Sequence, residues 1–460
     1  MKRLALALSA MATVLGAPAF AEPLPRQATL GVAIAPSPKA DGALVQTIRW
    51  PDAARAFGLK SGDVIVSVNG VATPSPTKLV EALAGKTAGA PAKVEVLRDG
   101  RARTLTGTLA GRPPEVFANG AVKLSAVPFE GGQLREFLVT PPGGAKGPVL
   151  FIIQGYTCDS VETTTPDSSH RLLIDGLLKR GISTYRVEKP GAGDSRGGKP
   201  CRDIDYETEL RAFQAGYKSL IEAHGVSPDR IFMLGHSLGG IEAPVMASRG
   251  PAPRGVAVYG TVARNWYDYM LDVFRYQGFV GRGGDPAEGE ALSESLRAPL
   301  AKVYLDGRSP DAVAAEDPAA GKVLRDVLGW TGGDQIFNRH YRFWAQLSTR
   351  PMLAPWKDTK SDVLIVFGEN DLAALDDRDH RLIVDVVNHY RPGTARFVPV
   401  PGIGHGMRYE PRRAVPGVET PSGAFNSDLI TIFGDWIETT MKSPPVADRP
   451  TPTATAAAKG

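Results

Sequence analysis

Cysteine is scarce in this chain: 460 residues carry only Cys158 and Cys201. Their separation gives no zinc-site spacing. In an oxidising compartment an even pair favours one disulfide, two unrelated thiols being the other reading. Charge of either sign is also lacking in excess. Lys and Arg total 53 against 49 Asp and Glu, a formal net charge of +4, or +2 once Lys2 and Arg3 are set aside. With no basic tract, nothing points to a nucleic-acid partner. Past the first residues no apolar run is long enough to span a membrane, so no transmembrane segment is expected. No residue pattern calls for a metal or a cofactor. What remains is an ordinary globular composition, 43% hydrophobic and 22% charged, with length for two or three domains.

The beginning is set apart. Lys2-Arg3 is a basic start, residues 4–15 are apolar, and Ala19-Phe20-Ala21 is an A-x-A cleavage site. Residues 1–21 are therefore expected to be a signal peptide of a periplasmic or secreted protein.

The stretch that organises the rest is residues 230–240, Arg-Ile-Phe-Met-Leu-Gly-His-Ser-Leu-Gly-Gly. A short apolar run fit for a buried strand leads into Gly235-His236-Ser237-Leu238-Gly239, which is G-x-S-x-G, and a helix-like stretch follows. Strand, sharp turn and helix are the context in which this motif exposes a nucleophilic serine. The glycines two residues either side leave room where a Cβ would clash. The helix N-terminus behind Ser237 favours developing negative charge. A serine hydroxyl is a weak nucleophile, so a base and a group to orient it are required. Downstream, a strand at 363–367 ends in Gly368-Glu369-Asn370-Asp371, where Asp371 and Glu369 compete as the orienting carboxylate. The next strand, Ala395–Val400, is followed by Pro401-Gly402-Ile403-Gly404-His405-Gly406. Of seven histidines, His405 alone follows the last strand in a loop. His236, next to the nucleophile, is not a base candidate.

Before this unit the chain reads differently. Residues 28–35 and 44–48 look like strands and 51–58 like a short helix. Gly58-Leu59-Lys60-Ser61-Gly62-Asp63-Val64-Ile65-Val66-Ser67-Val68-Asn69-Gly70 alternates like a strand and closes on an Asn-Gly turn. A hairpin about Asp99-Gly100 follows. On that Gly-Leu-x-x-Gly-Asp-x-Ile-x-x-Val-Asn-Gly string, residues 27–112 resemble a PDZ domain of the kind found in bacterial envelope proteases. The resemblance implies a carboxylate-binding loop at Leu30, Gly31 and Val32, and with it a peptide or protein ligand, or else a docking module without one. Residues 113–120 read as a linker.

From 121 to 442 strands alternate with helical patterns, the mark of a mostly parallel sheet. Pro244 is expected to kink or end the helix after Ser237. Residues 262–358 interrupt the alternation as a helical insertion. It carries two aromatic stretches at helical spacing, 265–276 and 335–347, which either line a pocket or form the seam of a cap. Residues 443–460 are Pro/Thr/Ala-rich and expected to be disordered.

On Ser237 in G-x-S-x-G, Asp371 in Gly-x-x-Asp and His405 after the last strand, the 121–442 unit resembles an α/β-hydrolase-fold serine hydrolase. The resemblance implies Ser237 as nucleophile, Asp371 as orienter and His405 as general base, then acid. Leu238 N–H would be one oxyanion donor and Tyr156 N–H the other, in Gln154-Gly155-Tyr156, where many relatives have His-Gly-x. It also makes neighbours of the strands before Cys158 and Cys201, so that a bond between them would staple two active-site loops. The expected activity is ester hydrolysis on a small molecule. A peptidase drawing on the smaller domain and a catalytically silent binding protein are the alternatives. The larger unit is expected to fold and act without the smaller one.

Overall fold

Five runs of apolar residues make the centre of the molecule. In the computed structural model, which describes residues 24–281, 283–412 and 423–449, Ser183–Val187, Val149–Ile153, Ile231–His236, Gly255–Tyr259 and Asp362–Gly368 lie side by side and parallel. They are buried nearly end to end, which is why they read as continuous hydrophobic runs. Ala395–Val400 extends this sheet on one side in parallel. On the other, Gly132–Thr140 joins antiparallel and itself pairs with Ala121–Phe129 and the short Arg196–Gly197.

Helices cover both faces. Tyr206–Glu222, Gly239–Arg249 and Arg378–Tyr390 pack on one face through Leu210, Phe213, Val245 and Ile383. Ser169–Lys179 and Asp428–Lys442 cover the other through Leu173, Leu177, Phe433 and Trp436. The helix after Ser237 runs unbroken through Pro244 to Arg249, so the expected early end does not occur. Packing of its buried residues on the sheet outweighs the one backbone donor that proline removes.

The insertion contains Trp266–Tyr276, Pro286–Tyr304, Pro310–Glu316, Pro318–Leu328, Tyr341–Ser348 and Ala354–Asp358 as helices. The second aromatic stretch departs from expectation. Only its latter part is helical. Gln335–Ile336 and Arg339–His340 form a tiny hairpin, turned at Phe337 and Asn338 with φ of 48° and 61°. The aromatics form a seam: Trp344 is fully buried, stacked on Trp266 at 5.7 Å and on Tyr304 at 6.2 Å.

The N-terminal unit is a twisted antiparallel sheet in the order Val32–Pro36, Ala43–Ile48, Val64–Val68, Pro91–Arg98, Arg101–Thr108. Pro76–Leu83 packs across it on Leu79. Asp99 and Gly100 have φ of 51° and 75°, both positive, as a two-residue hairpin turn demands.

Within the expected linker 113–120, Glu115 is buried and paired with Arg186. Ser443–Arg449, expected to lack structure, are tied to the start of the sheet by two arginines. Arg254 donates to the Ser443 and Pro444 carbonyls, and Arg449 pairs with Asp362 at 2.6 Å. A guanidinium at each end overrides the Pro/Ala-rich composition. The remainder of that tail and the leader 1–21 lie outside the described residues.

Candidate active site

The loops at the carboxyl ends of the parallel strands converge, the place where open α/β sheets form their clefts. Ser237 sits between strand and helix with φ of 58°, a left-handed conformation that non-glycine residues rarely adopt. Space explains both motif glycines. A Cβ on Gly235 would lie 2.3 Å from the Gly239 carbonyl oxygen, and one on Gly239 would lie 2.3 Å from that of Ile153. The turn is pinned by Ser237 N–H donating to the Tyr259 carbonyl at 2.9 Å.

Asp371 is completely buried and meets His405. Nδ1 of the imidazole lies 3.0 and 2.9 Å from the two carboxylate oxygens. Oδ1 also accepts from Ala373 and Ala374 N–H, each at 2.9 Å. Burial alone would lower the His405 pKa. The charge and hydrogen bond of Asp371 outweigh it and hold the imidazole above its ordinary value. Burial would raise Asp371, but His405 and the backbone donors keep it below the usual carboxylate range. Glu369, the competing carboxylate, makes no such contact among the described residues.

Ser237 and His405 line one cavity of about 370 Å³ together with Gly155, Tyr156 and His170. Gly155 is appressed to Ser237: a Cβ there would stand 3.0 Å from Ser237 Cβ. Neither Tyr156 N–H nor Leu238 N–H donates to a protein acceptor among the described residues. Cys158 and Cys201 are joined in a disulfide across 43 residues, tying the loop after Tyr156 to the loop that follows Lys189.

Several neighbours escaped the sequence reading. His236 Nε2 lies 3.0 Å from the His405 carbonyl oxygen and its ring packs 4.9 Å from the His405 ring. Burial, then the nearby His405 and His170, push its pKa well below the ordinary value. Tyr259 donates to the Gly404 carbonyl at 2.6 Å. Glu410 adds negative charge beside His405. His236 sits inside the motif but its partner does not; no spacing rule links Tyr259 or Glu410 to the motif, and only the fold brings them beside the 404–405 loop.

Leu30, Gly31 and Val32 stand apart from this cavity. Leu30 is buried, Gly31 N–H donates to Thr29 Oγ1 at 3.1 Å, and the Gly31 carbonyl accepts from Arg49 and Trp50. Their unit touches the larger one at several points. Arg49 from that unit lines the same cavity as Ser237 and His405. Arg26 pairs with Glu162 at 2.6 Å and with Asp194 at 2.9 Å, and Gln27 N–H donates to Asp194. The glycine-rich turn at 191–195 is thus part of a junction between the units. Among the described residues no group of His, Cys, Asp and Glu could hold a metal ion, and no helix is long and apolar enough to cross a membrane.

Comparison with known proteins bears on both units. Residues 155–416 match the family described as Alpha/beta hydrolase family, and residues 28–109 match the PDZ domain. Esterase EstD of Thermotoga maritima is 26% identical over 185 residues, 40% of this chain and 42% of its own length. The chain therefore spans less than half of that relative. Est1E from Butyrivibrio proteoclasticus with ferulic acid bound aligns at 17% identity over 69% of this chain and 97% of its own, with a TM-score of 0.43. A monoglyceride lipase variant from Saccharomyces cerevisiae aligns at 14% identity over 71% of this chain and 98% of its own, also at 0.43. At these scores the likeness says nothing about residue roles.

Proposed function

The chain belongs to the alpha/beta hydrolase family, and from that premise we propose that it is a serine hydrolase cleaving a small carboxylic ester through an acyl-enzyme. The observation that carries the reading is the Asp371–His405 pair opening into the same cavity as Ser237, whose backbone is held at positive φ. In this reading His405 Nε2 takes the proton from Ser237 Oγ as Oγ attacks the ester carbonyl carbon. Leu238 and Tyr156 N–H receive the oxyanion. Collapse of the tetrahedral intermediate expels the alcohol, which leaves with the proton from His405. Water then repeats the sequence on the acyl-enzyme. Asp371 holds the imidazole in one tautomer and stabilises its charged form.

The disulfide, together with the leader pattern of residues 1–21, supports a periplasmic or secreted location. The edge position of Val32–Pro36 leaves a strand free to accept an extended peptide beside Leu30, Gly31 and Val32. That favours recruitment of a peptide or protein at the smaller unit, and a peptidase is the second reading. The experiment is labelling with a fluorophosphonate, with kinetics on p-nitrophenyl esters and peptides. Ester turnover with labelling of Ser237 is expected. Peptide turnover exceeding that of every ester would shift the assignment to the second reading, and no labelling of Ser237 would end both.

A further inference from the structure

Behind the Gly155-Tyr156 loop lies a cluster of charged side chains sealed from solvent. Lys189, Glu209 and Arg339 have side chains at most 1% exposed. Lys189 Nζ pairs with Glu209 at 2.8 Å, and Arg339 pairs with the other oxygen of the same carboxylate at 2.6 Å. Glu242, on the helix that follows Ser237, faces the same cluster. Burial, and next the charge of Glu209, push its carboxyl well up. A buried ion cluster is weak evidence for stability, since desolvation offsets most of the attraction. The cations here also do something specific. Lys189 Nζ donates to the Gly155 carbonyl at 2.5 Å, and Arg339 donates to the Tyr156 carbonyl at 2.8 Å.

The Gly155 carbonyl and the Tyr156 N–H belong to one peptide group. The chain has no cis peptide bonds among the described residues, so the two point in opposite directions in one plane. A cation that fixes the carbonyl thereby fixes the N–H. Polarising the carbonyl also strengthens the N–H as a donor.

We propose that Lys189 is a positioning residue of the oxyanion hole: its grip on the Gly155 carbonyl aims the Tyr156 N–H at the carbonyl oxygen of a substrate attacked by Ser237. Arg339, from the hairpin of the inserted helical region, fixes the following peptide and makes that region part of the same device. This rests on the reading of Ser237 and Tyr156 given above and adds residues to it.

The test uses the full-length protein, a short-chain p-nitrophenyl ester, and two ligands. One is a trifluoromethyl ketone, which forms an oxyanion adduct with a serine, and the other is the matching methyl carbinol, which does not. Lys189→Met leaves Glu209 paired with Arg339. It is expected to lower kcat about 10- to 100-fold, short of the 10²–10³ for outright loss of a donor. KM and carbinol affinity should stay within about twofold, while ketone affinity falls in step with kcat. Lys189→Arg should recover part of both. Arg339→Gln, acting one peptide further on, should move kcat and ketone affinity the same way by less, and serves if Lys189→Met does not fold. A folded Lys189→Met or Arg339→Gln protein with kcat and ketone affinity of the parent would overturn the inference. If Ser237→Ala retained turnover, the underlying reading would fail instead.

Discussion

The two proposed oxyanion donors stand side by side yet are held by different means. Leu238 N–H is set by its own neighbourhood: Gly235 and Gly239 allow the turn, and the helix begins at once. Tyr156 N–H lies in a loop without regular structure. Its peptide is held by Lys189, 34 residues away in sequence from Gly155, and the next by Arg339, 183 residues from Tyr156. The first geometry is written mainly in a pentapeptide, pinned to the neighbouring strand by Ser237 N–H on the Tyr259 carbonyl. The second exists only when two strand ends and a distant hairpin have met. Local strain makes one half of the site robust to remote change, while remote buried charge makes the other half dependent on the whole fold.

The contrast can be broken first at its local half. Ser237→Ala is expected to remove about 10⁶-fold of turnover and all fluorophosphonate labelling, by analogy with triad serines generally; circular dichroism should be unchanged. Turnover equal to the parent would remove the reason to compare the donors at all.

Asp371→Asn should cost about 10⁴-fold in kcat and also move the pH profile. Because Asp371 holds His405 above the ordinary imidazole value of 6.5, the parent's kcat/KM should fall on the acid side with a midpoint above 6.5. The base must be neutral, and a raised pKa keeps it protonated to higher pH. Without the carboxylate charge, burial dominates and the midpoint should move down. A midpoint that stays put would separate His405 from Asp371. Glu410→Gln should produce a smaller downward displacement of the same limb.

Remote control can be sharpened by removing the N-terminal unit. A chain beginning near Glu115 loses Arg49 from the cavity and leaves Glu162 without Arg26. A drop of about tenfold in kcat/KM, some 1.4 kcal/mol, is expected on a small ester while the fold persists. An undiminished ratio would restore the separable arrangement that the sequence suggested, and Arg49→Ala in the whole protein should reproduce part of any loss.

The smallest catalytic effect is expected at the disulfide, whose main contribution is to stability. Opening it with Cys158→Ser and Cys201→Ser should cost about 4 kcal/mol in the chain-entropy model for a loop of 43 residues, read by denaturant unfolding. kcat should fall only severalfold, because Lys189 and Arg339 still hold the peptides of Gly155 and Tyr156. A fall as large as that of Lys189→Met would transfer the positioning role to the disulfide.

Much of this molecule was legible in one dimension. The central strands announced themselves because burial on both faces demands uninterrupted apolar residues, as in Val149–Ile153 and Gly255–Tyr259. The hairpin at Asp99-Gly100 and the strained turn at Ser237 were equally readable, since φ above zero restricts which residues can stand there. Such rules act within a few residues, and the sequence by itself settled them. It also brought forward Asp371 and His405, through their order after successive strands. Helix 335–347 failed in its first half because Phe337 packs against Tyr156 at 6.1 Å from a tight turn, a contact no periodicity encodes. Glu115 looked like linker and Ser443–Arg449 like a loose tail because their partners, Arg186, Arg254 and Asp362, are far away in sequence. Tertiary structure alone decided that Lys189, Glu209 and Arg339 are buried together, that Arg49 reaches the cavity, and that His236 props His405. Each depends on charge or shape meeting across the sheet, and a buried charge declares its purpose only when the group it neutralises and the carbonyl it holds are both in place.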